Sequence, residues 1–508
     1  MIRSGGYMNI GCIYSVDDYE TVEKPLSTLS DIPFGISIIA TILKESGNDV
    51  DLLVVSRATV IKDLLGSYIA DKNPRMFCLT AVSSQFSTIE NVAQVIKEID
   101  PTIYVLLGGH HASLAPDNAI QSPHIDAICM GEGDKAVLDI VSQVAAGTSV
   151  PSNINNLWIK DKATDSIEKC PRNPFNEDLE SLPHVDRTMW EPWIVSPEDE
   201  ASVLVGRGCP YKCTYCSNHA MALLSPGKYT RYRSPADMIA EIDGVSNQYS
   251  GLRDIYLEVE TIGASMWDAT ELFSALADYN SGRSEKLNFK MNLAIHSSFV
   301  KNEDKVREFL GYCQRANVVG LNVGLESGSE RIRKIMRRPN YSNQEIATFA
   351  RMSREHGISL SLYVLIGLPD ETPKDFKDTV AMVREMQPDR VDLAVFYPYV
   401  GTDLYETAKE RGMIPPHALE PAGERRKAIL DSPDFPRWRV RFEYIVFWYS
   451  AFKGHWPLTK ILYRMGRAYI APHPRLESAW RILNNSSGFF RSLKKKYAPS
   501  GASGVIRT

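Results

Sequence analysis

The sequence predicts an α/β protein with two consecutive α/β domains and a mainly helical C-terminal region. Three observations support this fold class. Short apolar runs alternate with helix-period segments over residues 1–150, the same alternation returns over residues 201–410, and residues 411–508 are rich in aromatic side chains and arginine. With 508 residues and 44% hydrophobic content, the chain can build two or three domains with real cores.

The first domain, residues 1–150, is predicted to be a doubly wound, Rossmann-like sheet. Its apolar runs MNIGCIYS, DVDLLVV, MFCLTAVS, IYVLLGG and AICMGEG are short and bounded by turn residues, and PFGISIIATILKES and TIENVAQVIKEI between them have helical spacing. Ligands of such sheets bind at the carboxyl ends of the strands. The candidate binding residues there are Ser83, Ser84, Gln85, Gly108, Gly109, His110, Gly131, Glu132 and Gly133. Taken singly, the glycines could equally supply turns, and Glu132 could be a helix N-terminal acid.

Residues 151–200 are predicted to be a linker, because NPFNEDLESLPHVDR is rich in Pro, Asn and acids and has no sustained period. From residue 201 to 410 six strand–helix units follow, beginning with SVLVGRG and continuing with DIYLEVE, FKMNLAI, VVGLNVGLES, SLSLYVLIGLP and RVDLAVFYPY. This order indicates a partial (β/α)6 TIM-like barrel with reactive groups on one rim. Length alone does not separate it from a second doubly wound sheet.

Three cysteines follow the first strand of this second domain in the segment CPYKCTYC. Cys209, Cys213 and Cys216 supply three thiolates, and no fourth ligand is obvious nearby. A structural zinc site usually shows paired C-x-x-C units. In a [4Fe-4S] cluster, by contrast, an iron without a protein ligand can bind a small-molecule chelate. The other five cysteines are scattered and no signal peptide is evident, which predicts buried free thiols and a reducing, cytoplasmic location.

The cysteine spacing, with Tyr215 before the third cysteine, resembles the radical S-adenosylmethionine (SAM) superfamily. RYRSP, GLESGSERI, IGLPDET and FYPYVGTDLY follow in that superfamily's order. The resemblance implies a partial barrel and a [4Fe-4S] cluster on Cys209, Cys213 and Cys216 that binds SAM. It also implies that SAM contacts come from Tyr215, Glu260, Glu326, Ser327, Gly367 and Pro369. The usual acidic pair near Glu260 is Asp-rich, so Glu258 and Glu260 depart from the pattern.

The first domain resembles the cobalamin-binding domain that precedes the catalytic core in the class B radical SAM methyltransferase-like family. LLGGHHASLAPDNAI, DAICMGEGDKAVLDI and PFGISIIATILKESG carry this resemblance. It implies that the loops named above contact cobalamin, with Ser83, Ser84 and Gln85 near its lower face. The chain lacks the D-x-H-x-x-G loop whose histidine binds cobalt in many relatives. We therefore expect a base-off cofactor with neither His110 nor His111 on the metal.

The resemblance implies a cobalamin-dependent radical SAM enzyme, for which C-methylation of an unactivated carbon in a small-molecule or lipid-like substrate is the preferred prediction. The alternatives are a radical cyclisation, rearrangement or hydroxylation with the same cofactors, methylthiolation, and a metal-stabilised binding module. Such an enzyme needs an electron donor such as flavodoxin or ferredoxin. A net charge of −5 argues against a nucleic-acid partner.

The C-terminal region contains FPRWRVRFEYIVFWYSAFKGHW and a basic end. Helical packing against the barrel is the simplest interpretation. Closure of a hydrophobic substrate pocket and peripheral contact with a membrane surface remain open alternatives. No run of eighteen apolar residues occurs, so no transmembrane helix is predicted.

Overall fold

A computed structural model describes residues 7–17, 19–262, 266–338, 341–415, 424–473, 476–477 and 480. The chain forms two compact units, which we describe separately. The first comprises residues 1–209 and 217–252, and the second comprises residues 210–216 and 253–508. The domain boundaries drawn from the sequence at residues 150, 200 and 410 remain predictions.

The first unit contains ten strands, eight α-helices and three short 3-10 helices in its described residues. These are β1 (Asn9–Val16), α1 (Phe34–Glu45), β2 (Asp49–Ser56), α2 (Ile61–Lys72), β3 (Met76–Thr80), α3 (Phe86–Ile99), β4 (Tyr104–Gly108), α4 (Gly109–Leu114), α5 (Pro116–Gln121), β5 (Ala127–Cys129), α6 (Ala136–Ala145), β6 (Leu157–Asp161), β7 (Ser166–Lys169), the 3-10 helices Leu179–Ser181, Arg187–Met189 and Glu191–Trp193, β8 (Glu200–Leu204), β9 (Gly206–Arg207), α7 (Ser217–Ala222), β10 (Arg231–Tyr232) and α8 (Pro235–Gln248).

The main sheet of this unit has the order β2-β1-β3-β4-β5-β6-β7. Strands β1 to β5 are parallel, and the order reverses between β1 and β3, as in a doubly wound sheet. Apolar side chains cover the sheet on the α2–α3 side, where Phe77, Val105 and Ile89 are fully buried. The predicted Rossmann-like fold is confirmed.

Part of the predicted linker is folded. Strands β6 and β7 form an antiparallel hairpin that extends the sheet beyond β5. Leu157 and Ile159 are buried against the sheet, while Trp158 between them lies under the Lys169 ammonium, 3.8 Å from the ring centre. A five-residue strand flanked by Asn and Asp turn residues is too short for a period to be visible in the sequence.

The second unit contains five strands and nine helices in its described residues. These are β11 (Asp254–Ile262), α9 (Met266–Ser281), β12 (Asn288–Leu293), α10 (Ser297–Val300), α11 (Glu303–Ala316), β13 (Val318–Glu326), α12 (Glu330–Ile335), α13 (Asn343–Glu355), β14 (Ser359–Ile366), α14 (Pro373–Met386), β15 (Arg390–Val395), α15 (Asp403–Glu410), α16 (Arg437–Phe452) and α17 (Leu458–Ile470).

Strands β11 to β15 are parallel, and each pairs with the next along the chain. This order without reversal is that of a (β/α) barrel, so the ambiguity with a second doubly wound sheet is resolved. Residues on each strand alternate between fully buried apolar side chains, such as Phe289 and Met291, and half-buried polar ones, such as Lys290 and Asn292. One face of the sheet is therefore packed under helices and the other is polar.

The described part of the C-terminal region, mainly residues 424–473, is largely helical, as predicted. Helix α16 packs on α14 through Phe447, whose ring lies 6.0 Å from that of Phe376. Within the described ranges, no helix is both long enough and apolar enough to span a bilayer.

Candidate functional site

The loops after β3 and β4 meet at the carboxyl edge of the first sheet. The backbone N–H of His111 donates to the Ala81 carbonyl at 3.0 Å. Gly109 lies at this crossing with φ +91°, and a Cβ built on it would stand 2.7 Å from the Ala81 oxygen and 2.7 Å from Thr80 Oγ1. Only glycine fits both the conformation and the space. The Gly-Gly pair thus has a structural cause, and it brings two predicted loops together.

The Ser83–Gln85 loop presents buried polar groups at the same edge. Gln85 Nε2 donates to the Ser15 carbonyl at 2.8 Å, which links this loop to the end of β1. The Ser84 and Ser15 hydroxyls are buried and have no hydrogen-bond partner among the residues that the structure describes. Buried hydroxyls are normally paired, so two unpaired ones at a ligand-binding edge match a site that a polar ligand completes.

The two histidines of the β4 loop differ in environment. The His111 ring stacks on Phe86 at 4.0 Å, and its Nε2 lies 3.0 Å from Asn118 Oδ1. Burial lowers the pKa of His111 to about 4, although the Asn118 hydrogen bond acts in the opposite direction. His110 is half-buried, and burial also lowers its pKa. His111 is committed to packing inside the unit, in keeping with its exclusion as a cobalt ligand.

The β5 loop is held by hydrogen bonds and ion pairs. The N–H of Gly131 donates to Ser113 Oγ at 2.9 Å, and Gly133 packs against the Cys129 sulfur. The Glu132 carboxylate accepts from both terminal nitrogens of Arg231, at 2.8 and 3.0 Å, and from Arg207 at 3.2 Å. Burial alone would raise the pKa of Glu132, but these arginines hold it below the usual value. Contact of Glu132 with cobalamin stays a prediction.

Arginines of the antiparallel β9–β10 pair form ion pairs with the acids of the β5 loop. Arg207 also pairs with Asp134, at 2.8 Å through Nη1 and 3.3 Å through Nη2. Arg231 is buried and donates to the Asn176 carbonyl at 2.6 Å. Arg231 of the RYRSP segment therefore braces the β5 loop.

Substitution of the two adjacent glycines, Gly108 and Gly109, tests which of them the fold requires. We expect Gly109→Ala to lose about 1–3 kcal/mol of unfolding free energy, because alanine would have to adopt a left-handed backbone conformation and its Cβ would collide with the β3 loop. Gly108 is extended, and a Cβ there meets only the Leu79 carbonyl at 3.8 Å. Gly108→Ala should therefore keep wild-type stability in urea denaturation. Equal losses for the two variants would contradict this interpretation of the β4 loop.

The cysteine loop of the second unit is anchored on both sides. Thr214 N–H donates to the Met336 carbonyl at 3.0 Å, and Leu404 N–H donates to the Thr214 carbonyl at 2.9 Å. Cys213 is buried, while Cys216 and Cys209 are half-buried, and none of the three forms a disulfide within the described residues. The Tyr215 ring packs against the apolar cluster around Met336, Leu368 and Phe396, which fixes its place between the cysteines.

A half-buried arginine that the sequence did not single out lies beside this loop. Arg338 Nη1 is 3.8 Å from the Cys213 sulfur and 3.5 Å from the Tyr215 hydroxyl, while Nη2 donates to the Gly324 carbonyl at 2.6 Å. Its Nε is buried without a partner in the described residues. A guanidinium at this position stabilises negative charge on a cysteine thiolate or on a ligand at the cysteines.

Glu326 ends β13 near this arginine, in the left-handed region with φ +58°. Burial raises the pKa of Glu326, while the positive charge of Arg338 and a hydrogen bond from Tyr215 oppose that shift. A non-glycine residue in this conformation carries backbone strain, which commonly occurs at functional sites. Arg338, Glu326 and Tyr215 thus form a polar cluster at the cysteine loop, although their roles toward SAM remain predictions.

Ser327 faces α14. It is fully buried, and its hydroxyl lies 3.3 Å from Thr379 Oγ1. The following residue, Gly328, approaches α14 so closely that a Cβ would stand 2.5 Å from the Asp378 carbonyl oxygen. Ser329 then caps α12 and donates to Asp375 at 2.7 Å. Within the described residues, the contacts of the SGS triplet are those of a tight loop-to-helix junction.

The IGLPDET loop turns its backbone amides onto a buried carboxyl group. Glu371 is fully buried, and its Oε2 accepts from the N–H groups of Gly367, at 2.6 Å, and Leu368, at 3.2 Å, whereas Oε1 has no partner. Pro369 between them is buried. Thr372 caps α14 in a capping box with Asp375, whereas Glu371 stabilises the loop rather than the helix. Contacts of Gly367 and Pro369 with adenine stay predictions.

The Glu371 environment predicts a pH-dependent stability. Burial raises the pKa of Glu371 to about 8, although the Gly367 and Leu368 amides act in the opposite direction. Because the folded pKa exceeds the unfolded value, this group's contribution is present below pH ~4.5 and is lost as pH rises toward 8. Between pH 6 and 8 we expect wild type to lose about 1–3 kcal/mol more unfolding free energy than Glu371→Gln. The prediction would be contradicted if urea denaturation showed the same change in unfolding free energy between pH 6 and 8 for the two proteins.

Glu260 lies on β11 and is half-buried, on the polar face of the barrel sheet. Farther along this face, four neighbouring strands share a hydrogen-bonded layer. Asn292 Oδ1 accepts from the hydroxyls of Tyr256, at 2.8 Å, and Tyr363, at 3.3 Å, and Asn322 Nδ2 donates to Tyr256 at 3.2 Å. The sequence did not predict this layer, because only the register of the paired strands brings these tyrosine and asparagine side chains within hydrogen-bonding distance.

A second half-buried cation faces the cysteine loop from the segment after β15. The positive charge of Arg425 interacts with Cys216 and Glu326, and its Nε donates to the Tyr399 hydroxyl at 2.7 Å. Tyr399 also donates to the Glu424 carboxylate. The FYPY tyrosine is therefore held by neighbouring side chains of its own unit.

Comparison with known families decides the identity of the two α/β domains. Residues 203–383 match the Radical SAM superfamily, and residues 30–141 match the B12 binding domain. The chain is a radical SAM enzyme with a B12-binding domain. The cysteine loop lies inside the first match, and the Ser83–Gln85 and Gly108–His110 loops lie inside the second. The [4Fe-4S] cluster, SAM and cobalamin are the cofactors of these two domain families.

Similar proteins share this arrangement at low identity. An anaerobic magnesium-protoporphyrin IX monomethyl ester cyclase from Rubrivivax gelatinosus is 24% identical over 74% of this chain and 66% of its own length. A protein described as an uncharacterized methyltransferase from Pyrococcus horikoshii is 22% identical over 75% of this chain and 79% of its own. The radical SAM methyltransferase TsrM from Kitasatospora setae, solved with cobalamin and a [4Fe-4S] cluster, superposes with a TM-score of 0.63 at 16% identity over 80% of this chain and 79% of its own. The chain thus spans about two thirds of the length of the cyclase.

The donor groups of the two α/β domains fit these cofactors. Within the described part of the chain, no group of three or more Cys, His, Asp or Glu side chains could hold a single metal ion. A cubane cluster makes a different demand, because each of three thiolates binds a separate iron and the sulfurs stand apart. Two unpartnered hydroxyls at the first sheet's ligand edge, and a partly unpartnered guanidinium at Cys213, are groups that bound cofactors can satisfy.

Proposed function

We propose that this enzyme methylates an unactivated carbon of a small-molecule substrate. The observation that carries the proposal is the joint presence of the B12-binding and radical SAM domains. The methyltransferases among its relatives support the same reaction. When bound, the three cofactors supply hydrogen abstraction by a deoxyadenosyl radical and a transferable methyl group.

The chain's own residues would position these groups. Cys209, Cys213 and Cys216 would hold the cluster, and Arg338 would lower the cost of negative charge beside it. Glu260 and Glu326 are acceptors available to the SAM amino and ribose groups. Ser84 and Gly108 would hold and admit cobalamin at the edge of the first sheet.

The polar layer on the barrel sheet favours a substrate with hydrogen-bonding groups. Side chains that fill a closed TIM barrel are mainly branched and apolar. Here the corresponding face carries Tyr256, Asn292, Asn322 and Tyr363, all half-buried and hydrogen-bonded to one another. A purely hydrocarbon ligand would displace solvent from these half-buried groups without replacing its hydrogen bonds, at a cost of about 1–3 kcal/mol each. The substrate region near the reacting carbon would therefore carry oxygen or nitrogen.

The test uses full-length protein reconstituted with iron, sulfide and hydroxocobalamin, reduced by dithionite or by flavodoxin with its reductase. We expect corrin absorbance to remain after desalting. Methyl-labelled SAM should yield S-adenosylhomocysteine together with deoxyadenosine. Absence of retained corrin, or deoxyadenosine without S-adenosylhomocysteine under every reductant, would refute methylation.

Radical cyclisation with the same cofactors is the second candidate. The similarity to the Rubrivivax cyclase over 74% of the chain favours it. A cyclase oxidises its substrate without transferring a methyl group, so it would form deoxyadenosine but no S-adenosylhomocysteine. The same product analysis therefore separates the two functions.

A further inference from the structure

Helices α16 and α17 each expose an apolar face. The exposed fractions are 69% for Trp438, 50% for Phe442 and 39% for Tyr449 on α16, and 59% for Leu458, 55% for Leu462 and 50% for Tyr469 on α17. In both helices these residues occupy positions i, i+4 and i+11, which lie within about 40° of one another at 3.6 residues per turn. We call these six side chains the exposed apolar face.

This face is separate from the packing of the helices. Helix α16 buries Val440, Tyr444 and Phe447 on other positions, and α17 buries Ile461 and Ala468. A surface helix of a globular protein usually turns charged or polar residues outward. Large exposed apolar residues in a regular stripe on two adjoining helices indicate an interaction surface.

The charge of this segment identifies the kind of partner. Residues 436–473 contain seven Lys or Arg and one carboxylate, that of Glu443, although the whole chain has a net charge of −5. The Glu443 carboxylate is buried and paired with Arg439 at 2.6 Å, so it adds no exposed negative charge. The segment is therefore locally basic and attracts an anionic surface.

The cations lie on the exposed aromatic rings. Arg439 stands 5.4 Å from the ring centre of Phe442, and Lys453 stands 5.1 Å from that of Tyr449. Arg441 of α16 lies 5.5 Å from the ring centre of Tyr469 on α17, which joins the two helices across this surface. Aromatic rings flanked by Lys and Arg are typical of side chains at the level of lipid headgroups.

We propose that the α16–α17 pair binds the surface of an anionic lipid bilayer, with the exposed apolar face inserted at the headgroup boundary. Leu458 and Leu462 favour lipid over RNA, because aliphatic side chains do not stack on bases. Basic residues around the face supply attraction to anionic headgroups. This inference does not depend on which reaction the enzyme catalyses.

The experiment is co-sedimentation of the full-length protein with vesicles of phosphatidylcholine alone or mixed with phosphatidylglycerol. We expect binding to the anionic vesicles, weakened in about 1 M salt, where charges are screened within about 3 Å. Leu458→Ser/Leu462→Ser should reduce the partition coefficient at least about tenfold, since it removes apolar area worth more than 1.4 kcal/mol. Arg441→Gln/Lys453→Gln should lower the partition coefficient about fivefold for each charge removed, and only on anionic vesicles.

Val60→Ser/Leu138→Ser is the matched control, because these residues are 63% and 40% exposed in the first unit. It should bind like wild type. Failure of wild type to sediment, or equal binding by the leucine variant and the control, would overturn the proposal. The proposal would also be overturned if the protein dimerised through this face and did not bind lipid. The same holds if RNA displaced the protein from vesicles while Leu458→Ser/Leu462→Ser kept the wild-type affinity for vesicles. Circular dichroism establishes that each variant is folded.

Discussion

Cys213→Ala should abolish deoxyadenosine formation and remove most of the cluster iron and sulfide. Cys213 is buried beside Tyr215 and Arg338, and its loss leaves only Cys209 and Cys216 in the CPYKCTYC segment. Two thiolates leave two irons of a cubane without protein ligands, so the cluster is not retained. Iron and sulfide analysis with electron paramagnetic resonance (EPR) of the dithionite-reduced protein measures this.

Cys313→Ala is the control for this result. Cys313 is a fully buried thiol on α11 and is far along the chain from the cysteine loop. Its loss should cost about 1 kcal/mol of stability through a small cavity and leave the cluster content unchanged. If both variants lost the same amount of iron, the assignment of the cluster to the CPYKCTYC segment would be wrong.

Arg338→Gln should make the cluster harder to reduce while leaving iron content near wild type. The guanidinium lies 3.8 Å from the Cys213 sulfur, and removal of this half-buried positive charge destabilises the reduced, more negative cluster. We expect the midpoint potential to become more negative by at least about 60 mV, the one-electron equivalent of a tenfold change. An EPR-monitored redox titration gives the value directly.

Arg337→Gln is a matched control one residue away. Arg337 is 57% exposed and pairs with Asp403 at 2.7 Å, so it contributes little to the buried site. Its potential should equal that of wild type. An unchanged potential in Arg338→Gln with full iron content would show that this arginine serves the fold alone.

The sequence contained strong information about the domains and the cysteines. Five apolar runs in the first 150 residues became β1 to β5, because strands buried on both faces leave a continuous hydrophobic signal. The predicted cofactor loops also lie at strand ends in the structure. The β6–β7 hairpin escaped detection because its strands are short and its turn composition resembles a linker.

The arginines after Glu326 show where sequence reasoning ends. Arg333, Arg337 and Arg338 stand in one basic run, RIRKIMRR, with no pattern that distinguishes them. In the structure Arg333 binds the Ser327 carbonyl at 2.7 Å, Arg337 pairs with an exposed acid, and Arg338 reaches Cys213. Their roles depend on the end of α12 and the turn after it, which no local signal encodes.

The sequence by itself indicated the cofactor class through its resemblance to the radical SAM and cobalamin-binding families, since the motifs that carry this resemblance are local properties of the chain. Only the tertiary structure decided that Arg207 and Arg231 hold Glu132, that Glu371 is buried under two backbone amides, and that Asn292 joins Tyr256 and Tyr363. Each of these contacts joins residues whose meeting depends on strand register, loop path or burial. Such contacts set charge, pKa and substrate polarity, and they arise only when distant segments pack together.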